Sequence, residues 1–416
     1  MNIHNAGNEK QIMPNKKLDD ASHSIENELR GAIDQWLGDQ PVYWNSKWNV
    51  WVATSYDAVA KILKDANTFV RNMNKREGSL EFWGPNHLLY QGLDTAEHRL
   101  WHAAHMQLTG KDFAEGIRKR VSEISHEVSA RLVNQGHAEL VADYANMIPF
   151  LAGYDYLGFD SNDTALKETL LTQLPIREIW KHRLDIGDGV PLNSKVAQDG
   201  LKAIQIMTSA MLPTIIDRRD HPRDDLISKF WAKGREIFPD WNEKDIVSNC
   251  WSNIDNESKL SLRGLLYILC RNQELQSILR SDLSLVDNFI EEGIRFLSPK
   301  RTIVRTATKD VVLDGQQIRR NDVIYAITAT ANRDEKLWPC PYHFDHTRPD
   351  EGTSFAFGYG AGYCVGRYVG RSEASEAIKA LLSITSSFAI DPSKPEPQWK
   401  GDMYHVPSPV HVILHR

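Results

Sequence analysis

The densest chemistry in this chain lies near its C-terminus, in Phe357-Gly358-Tyr359-Gly360-Ala361-Gly362-Tyr363-Cys364-Val365-Gly366. Three glycines at alternate positions precede a cysteine. A fourth glycine opens an amphipathic stretch that reads as a helix from about Val365 to Ser383. Glycine admits backbone conformations closed to other residues and lets the main chain approach a flat ligand. A cysteine just ahead of a helix sits where the macrodipole and free N–H groups stabilise a thiolate. Such a thiolate is a strong axial ligand for haem iron. The plainer alternative is a glycine-rich turn with an incidental cysteine. Cys250, Cys270 and Cys340 have long, uneven gaps and no CxxC pair, which argues against a zinc site or a disulfide scaffold. They read as buried small hydrophobes in a reducing compartment.

Other residues stand in register with that loop. About seventy residues upstream, Glu292-Gly293-Ile294-Arg295 places a carboxylate and a guanidinium on one helix face. Asp94-Thr95-Ala96-Glu97-His98, Arg305-Thr306-Ala307, Ala331-Asn332-Arg333-Asp334 and Phe344-Asp345-His346-Thr347-Arg348 complete the set. With these motifs the chain resembles the cytochrome P450 family, of the soluble bacterial type, over roughly residues 40 to 416. The resemblance implies haem b as cofactor, with Cys364 as the iron ligand and Phe357, Gly358 and Gly366 in the haem loop. It implies His98 and Arg305 at the haem propionates. It also implies a structural ion-pair network of Glu292, Arg295 and Arg348.

Three positions depart from the family pattern. Gly362 stands where the family carries His or Arg against a propionate. His102 stands where helix C usually carries Arg, a replacement that is mostly neutral at pH 7; Arg99 is the nearest substitute. The third departure is in helix I, where the family places an acid followed by a threonine for proton delivery. Aligned without a gap, this chain has Asn256 at the acid position and Glu257 at the threonine position. A shift of one residue would give Glu257 and Ser258, nearly the family pair. The ungapped register is favoured because a continuous helix does not absorb a one-residue offset easily. On that register Glu257 is the proton relay or a substrate-orienting group, unless it faces bulk water. Trp83, Asn253 and Ile303 are expected to line the substrate pocket, together with the Asn72–Gln91 loop and Phe82.

These residues need a frame to position them. The chain has 416 residues, 41% hydrophobic and 25% charged, which is enough for a large core. Net charge is −6, so a nucleic-acid partner is not expected. No apolar run reaches the length of a membrane span, and residues 1–21 read as a solvated tail without a signal-peptide core. The fold expected is mainly α with a small β region, the cytochrome P450 fold, as one domain over 22–416. Helices are expected from Ser22, over Asp57–Leu63, from Asp94 to His105 and onward to about Leu297, with a break near Pro149–Gly153. Strands are expected in Val42–Ala53, Thr302–Thr308, Val311–Leu313 and Val323–Ile327, with a hairpin turn at Asp314–Gly315. The function expected is a cytoplasmic haem-thiolate oxidoreductase. It would oxidise a small polar or aromatic natural-product intermediate, with dioxygen and electrons from a ferredoxin/ferredoxin reductase type partner. A peroxide-using or redox-neutral enzyme, or a non-catalytic haem-bearing binding module, is the alternative.

Overall fold

Ile25, Leu29 and Ile33 recur at the four-residue spacing of one helix face, and in the computed structural model all three are buried on helix α1 (Asp20–Asp34). Trp36 is buried just beyond it, whereas Leu37, assigned to the same face, is half exposed. The structure describes residues 20–71, 77–78, 81–82, 96–185, 190–349, 353–401 and 403–416. Residues 1–19 of the tail, most of the Asn72–Gln91 loop including Trp83, and the Asp94–Thr95 cap lie outside that set.

Strands β1 (Val42–Asn45) and β2 (Val50–Ala53) form the expected hairpin, followed by α2 (Tyr56–Lys64) and the short β3 (Phe69–Val70). Then come α3 (Ala96–Leu108), α4 (Lys111–Gln135), β4 (His137–Glu139), α5 (Met147–Leu157), α6 (Thr164–Asp185) and α7 (Lys195–Asp220). The predicted break near Pro149–Gly153 does not occur. Pro149 falls in the first turn of α5, where a missing N–H costs nothing. Gly153 is there because a Cβ would strike the Asn253 carbonyl of the helix packed against it. The chain continues through α8 (Leu226–Ile237), α9 (Glu243–Ile254), α10 (Ser258–Arg271), α11 (Gln273–Ser281) and α12 (Val286–Leu297).

The texture changes after Leu297 as expected. Strands β5 (Thr302–Ala307), β6 (Val311–Leu313), β7 (Gln316–Ile318) and β8 (Val323–Ile327) follow, then the short α13 (Thr328–Ala331), an irregular stretch, and α14 (Arg367–Ile384). Asp314 and Gly315 both have positive φ (47° and 81°), the signature of a type I′ hairpin turn. Strands β9 (Ser387–Ile390), β10 (Gln398–Lys400), β11 (Val406–Ser408) and β12 (His411–His415) close the chain. These last strands are too short and mixed for periodicity to reveal. The five-stranded sheet runs β1-β2-β8-β5-β3, with β2 and β8 parallel and the other pairs antiparallel. One large helical core and a smaller core under this sheet flank the site.

The expected ion-pair network is assembled around a buried carboxylate. Glu292 accepts from Arg295 at 2.7 and 2.8 Å, from Arg348 Nε at 3.2 Å and from the Asp345 backbone N–H at 3.1 Å. Arg295 in turn donates to the carbonyls of Asn332 and Pro341 at 2.9 and 3.1 Å. Breaking a buried pair by removing one member costs about 3–5 kcal/mol, because a charge is left uncompensated. Glu292→Ala is therefore expected to fold poorly and to take up little haem. A soluble, fully haem-loaded variant with normal thermal stability would contradict the structural role.

Candidate active site

The glycine-rich loop is shaped by its own backbone. Gly358 (φ 77°) and Gly360 (φ 64°) occupy the left-handed region that favours glycine. The loop closes on itself through the Cys364 N–H, which donates to the Phe357 carbonyl at 2.8 Å. Gly366 then caps α14. Two neighbouring carbonyls of the loop are tied from outside. His102 Nε2 donates to the Tyr363 carbonyl at 2.9 Å, and Arg71 Nη2 to the Gly362 carbonyl at 3.2 Å.

Cys364, Phe357, Gly358, Gly366, Arg305, His102, Asn253, Asn256, Glu257, Ser258 and Ile303 all line a cavity of about 300 Å³. His98 does not reach that wall. It is buried behind His102, with the two rings 5.7 Å apart. His102, expected at a propionate, instead spends Nε2 on the loop carbonyl. Arg99 is exposed and does not line the cavity. Phe82 packs away from the cavity, edge-on to Trp180 at 5.2 Å. Cys250 and Cys270 are buried as expected, whereas Cys340 is exposed. It sits at a positive-φ turn (48°) whose carbonyl faces Arg348.

The premise behind the ungapped helix I register fails. Helix α9 ends at Ile254 and α10 begins at Ser258, so the segment is interrupted rather than continuous. Asn256 makes the interruption. Its Oδ1 accepts from the Ser258 N–H two residues on, at 3.1 Å, a local turn that competes with the helix. An interrupted helix absorbs a one-residue offset without cost. Around the gap, α6 supplies Arg177 and Lys181 from one face. Arg177 bonds the buried Asp255 at 2.8 Å, and Asp255 also holds Lys259 at 2.6 Å.

Glu257 is not the titrating relay that the ungapped register predicts. Lys181 donates to it at 3.0 Å and the Tyr404 hydroxyl at 2.8 Å, with Lys300 at 3.6 Å. Burial works to raise its pKa, but the Lys300 and Lys181 charges and the Tyr404 hydroxyl overcome it. The carboxyl is held well below the usual range, and it stays ionised. Asn256 and Ser258 turn instead towards Glu373, on α14, nine residues after the cysteine. Asn256 Nδ2 donates to Glu373 Oε1 at 3.2 Å, and Ser258 Oγ lies 2.5 Å from both Glu373 Oε2 and Asn256 Oδ1. Burial pushes Glu373 up to about 8, against those hydrogen bonds. A hydroxyl has one proton, so Ser258 cannot donate to both neighbours. Protonated Glu373 donating to Ser258, and Ser258 to Asn256, satisfies all three. Glu373 is not legible from sequence spacing, because its partners lie 115 and 117 residues away.

The residues fit a haem. Among the described residues no group of three or more His, Cys, Asp or Glu could hold a metal. Burial pushes the Cys364 thiol up, opposed by the Gly366 N–H. A thiolate there needs a positive charge beside it, which a coordinated iron supplies. Arg305 lines the same cavity, in reach of an anionic edge.

The cytochrome P450 family description matches residues 265–409, which include Glu292, Arg295, Arg305, Arg348 and Cys364. Cytochrome P450 CYP107DY1 of Priestia megaterium is 26% identical over 351 residues, covering 80% of this chain and 82% of that protein. The biotin biosynthesis cytochrome P450 of Bacillus subtilis is 26% identical over 353 residues, covering 82% and 85%. Among solved structures, HmtT, involved in himastatin biosynthesis, superposes with a TM-score of 0.78 at 22% identity, covering 92% of this chain and 96% of that one. These matches are all cytochrome P450s, and the likeness runs over most of the chain. By that likeness the chain is a haem-dependent oxidoreductase, and among the described residues no helix is long and apolar enough to cross a membrane.

Two measurements follow from this geometry. Replacing Cys250, Cys270 and Cys340 together is expected to leave the thiolate-type band of the reduced, CO-bound protein intact, while Cys364→Ala abolishes it. The reverse pattern would remove Cys364 from the iron. The second concerns pH. Glu373 has a folded pKa near 8 against an ordinary value of 4.5. The folded state therefore binds more protons than the unfolded one between those values, and its stability falls as pH rises through that window. Glu373→Gln keeps the donor and removes the titration. Its melting temperature relative to wild type should rise by about 2 °C or more between pH 5 and pH 8. A pH-independent difference would mean that Glu373 is ionised in the folded protein.

Proposed function

We propose that this chain is a cytochrome P450 monooxygenase or oxidase of small, polar or aromatic natural-product intermediates, using dioxygen and electrons from a ferredoxin/ferredoxin reductase type partner. The observation that carries the reading is the opening of Cys364, Ser258 and a polar wall onto one cavity, with Glu373 bonded to Ser258 behind that wall. That wall includes Ser252, Asn253, Asn256, Glu257, Lys300 and Thr302. Among the described residues the buried Thr302 hydroxyl has no hydrogen-bond partner, and a polar substrate group could meet it. Relatives named for polyketide and biotin biosynthesis support a place in a biosynthetic pathway.

The haem, when bound, supplies the oxidising chemistry, and the protein supplies binding, orientation and protons. Cys364 would hold the iron, with Phe357, Gly358 and Gly366 shaping the loop and Arg305 on the same cavity wall, available to a haem carboxylate. On α14, Glu373 is a buried acid with a pKa raised to about 8, close to the condition for moving a proton efficiently. Ser258 stands between it and the cavity, positioned to pass a proton from Glu373 Oε2 through its own Oγ. Asn256 cannot titrate, and it fixes the geometry by accepting from Ser258. Glu257 and Lys300 carry fixed opposite charges and orient polar groups of the substrate, with Asn253 and Ile303 on the same wall. The peroxide-using alternative was attractive because an acid–alcohol pair was missing from the ungapped helix I. An acid brought from α14 removes that motive.

The test reconstitutes the enzyme with a ferredoxin and its reductase, using a polar or aromatic compound selected by its shift of the Soret band. Ser258→Ala and Glu373→Gln are expected to lower product formed per electron consumed and to raise hydrogen peroxide release several-fold, with haem content unchanged. Glu257→Gln is expected to weaken the ligand-induced Soret shift while leaving coupling near wild type. Loss of coupling in Glu257→Gln alone, with Ser258→Ala unaffected, would reassign the relay to Glu257. Turnover that needs only peroxide would overturn the dioxygen reading.

A further inference from the structure

Arg71 belongs to no motif of the sequence, yet its placement is specific. It is the residue after β3. The ladder pairs Phe69 with Ala307 and Val70 with Thr306, so the next step of the register sets Arg71 across from Arg305. Both arginines line the cavity that contains Cys364. Both guanidinium groups converge on Gly362. Arg71 Nη2 donates to its carbonyl at 3.2 Å, and a Cβ added to Gly362 would collide with Arg71 Nη2 and lie 3.3 Å from Arg305 Nη2. Unlike Gly358 and Gly360, Gly362 has no positive φ. The backbone does not require glycine there, and the end of the Arg71 side chain occupies the space into which a loop side chain would extend.

Like charges set opposite each other on a ladder repel. Two guanidinium groups at one cavity wall become favourable when an anion accepts from both, and Arg–carboxylate pairs are among the stronger hydrogen bonds. A haem presents two carboxylates from one edge. We propose that Arg71 is a haem-carboxylate ligand, paired with Arg305, and that it supplies from β3 the cation that Gly362 fails to supply from the haem loop. This rests on the haem-thiolate reading of Cys364. The loop residue two before the cysteine has become glycine so that an arginine from another element can occupy the same space. The chain has exchanged the origin of the charge without losing it.

The experiment follows haem transfer from the purified holoenzyme to excess apomyoglobin, alongside the reduced, CO-bound spectrum. Arg71→Ala is expected to lose haem about tenfold faster than wild type with its thiolate-type band unchanged. Arg71→Gln keeps a donor for the Gly362 carbonyl but no charge, and it should lose haem nearly as fast. Arg71→Lys should fall between. Adding Gly362→Arg to Arg71→Ala returns a cation to the same space and should recover most of the lost retention. Wild-type retention in Arg71→Ala would overturn the proposal. So would wild-type retention in Arg71→Gln, because the arginine would then be only a tether for the loop. Failure of the double variant to slow haem loss would also count against it. Absence of the thiolate-type band from the wild-type protein would instead overturn the reading of Cys364, an outcome separate from the others.

Discussion

The buried carboxylate of Glu292 is the interaction from which the cysteine takes its position. It neutralises Arg295, and Arg295 is thereby free to aim a second donor at the Asn332 carbonyl. Asn332 Oδ1 accepts from the Phe355 N–H at 2.7 Å, and Phe355 begins the turn whose end, the Phe357 carbonyl, receives the Cys364 N–H. A continuous run of hydrogen bonds thus connects an ion pair on α12 to Cys364. The links from Glu292 to the Phe355 N–H are buried, so each would cost more to break than an exposed equivalent. The irregular stretch between β8 and the haem loop has little regular structure of its own. It holds its shape because Arg348 and the Asp345 N–H return to the same Glu292 carboxylate.

The second constraint is the gap between α9 and α10. Two carboxylates lie close to it in opposite protonation states, set by surroundings rather than by residue type. Glu257 meets Lys181, Lys300 and the Tyr404 hydroxyl, and it is ionised. Glu373 meets only neutral hydrogen-bonding groups, Ser258 and Asn256, and burial keeps it protonated near neutral pH. The separation assigns fixed charge to the substrate side and a mobile proton to the side nearest α14. The buried Arg177–Asp255 pair, with Arg177 stacked 4.4 Å from the Phe82 ring and 4.9 Å from that of Trp251, ties α6 to the gap. Movement of α6 would therefore be felt at the polar wall, where Lys181 reaches Glu257.

Local spacing accounts for what was legible in the sequence. The helix faces, the hairpin at Asp314–Gly315, the Glu292–Arg295 pair and the glycine–cysteine loop are each written within a few residues, the range over which backbone geometry dictates which side chains meet. Pro149 misled because a proline at a helix start and a proline at a break look alike without the packing around them. The terminal strands were illegible because strands of three to five residues have no measurable period and exist only through their partners.

The sequence alone singled out Cys364, the glycine loop around it, the ion pair behind it and the mainly helical class. Only the tertiary structure decided which side chains complete the site. Asn256 breaks a helix that pattern reading takes as continuous, and this turns Ser258 rather than Glu257 towards the buried acid. Glu373 joins Ser258 across 115 residues, and Arg71 joins Gly362 across 291. Contacts at such separations leave no periodic trace, because neither partner is chosen by its neighbours in the chain. They depend on α14 crossing the helix gap and on β3 pairing with β5, and a charge missing at one position can be restored from any element that the fold brings alongside.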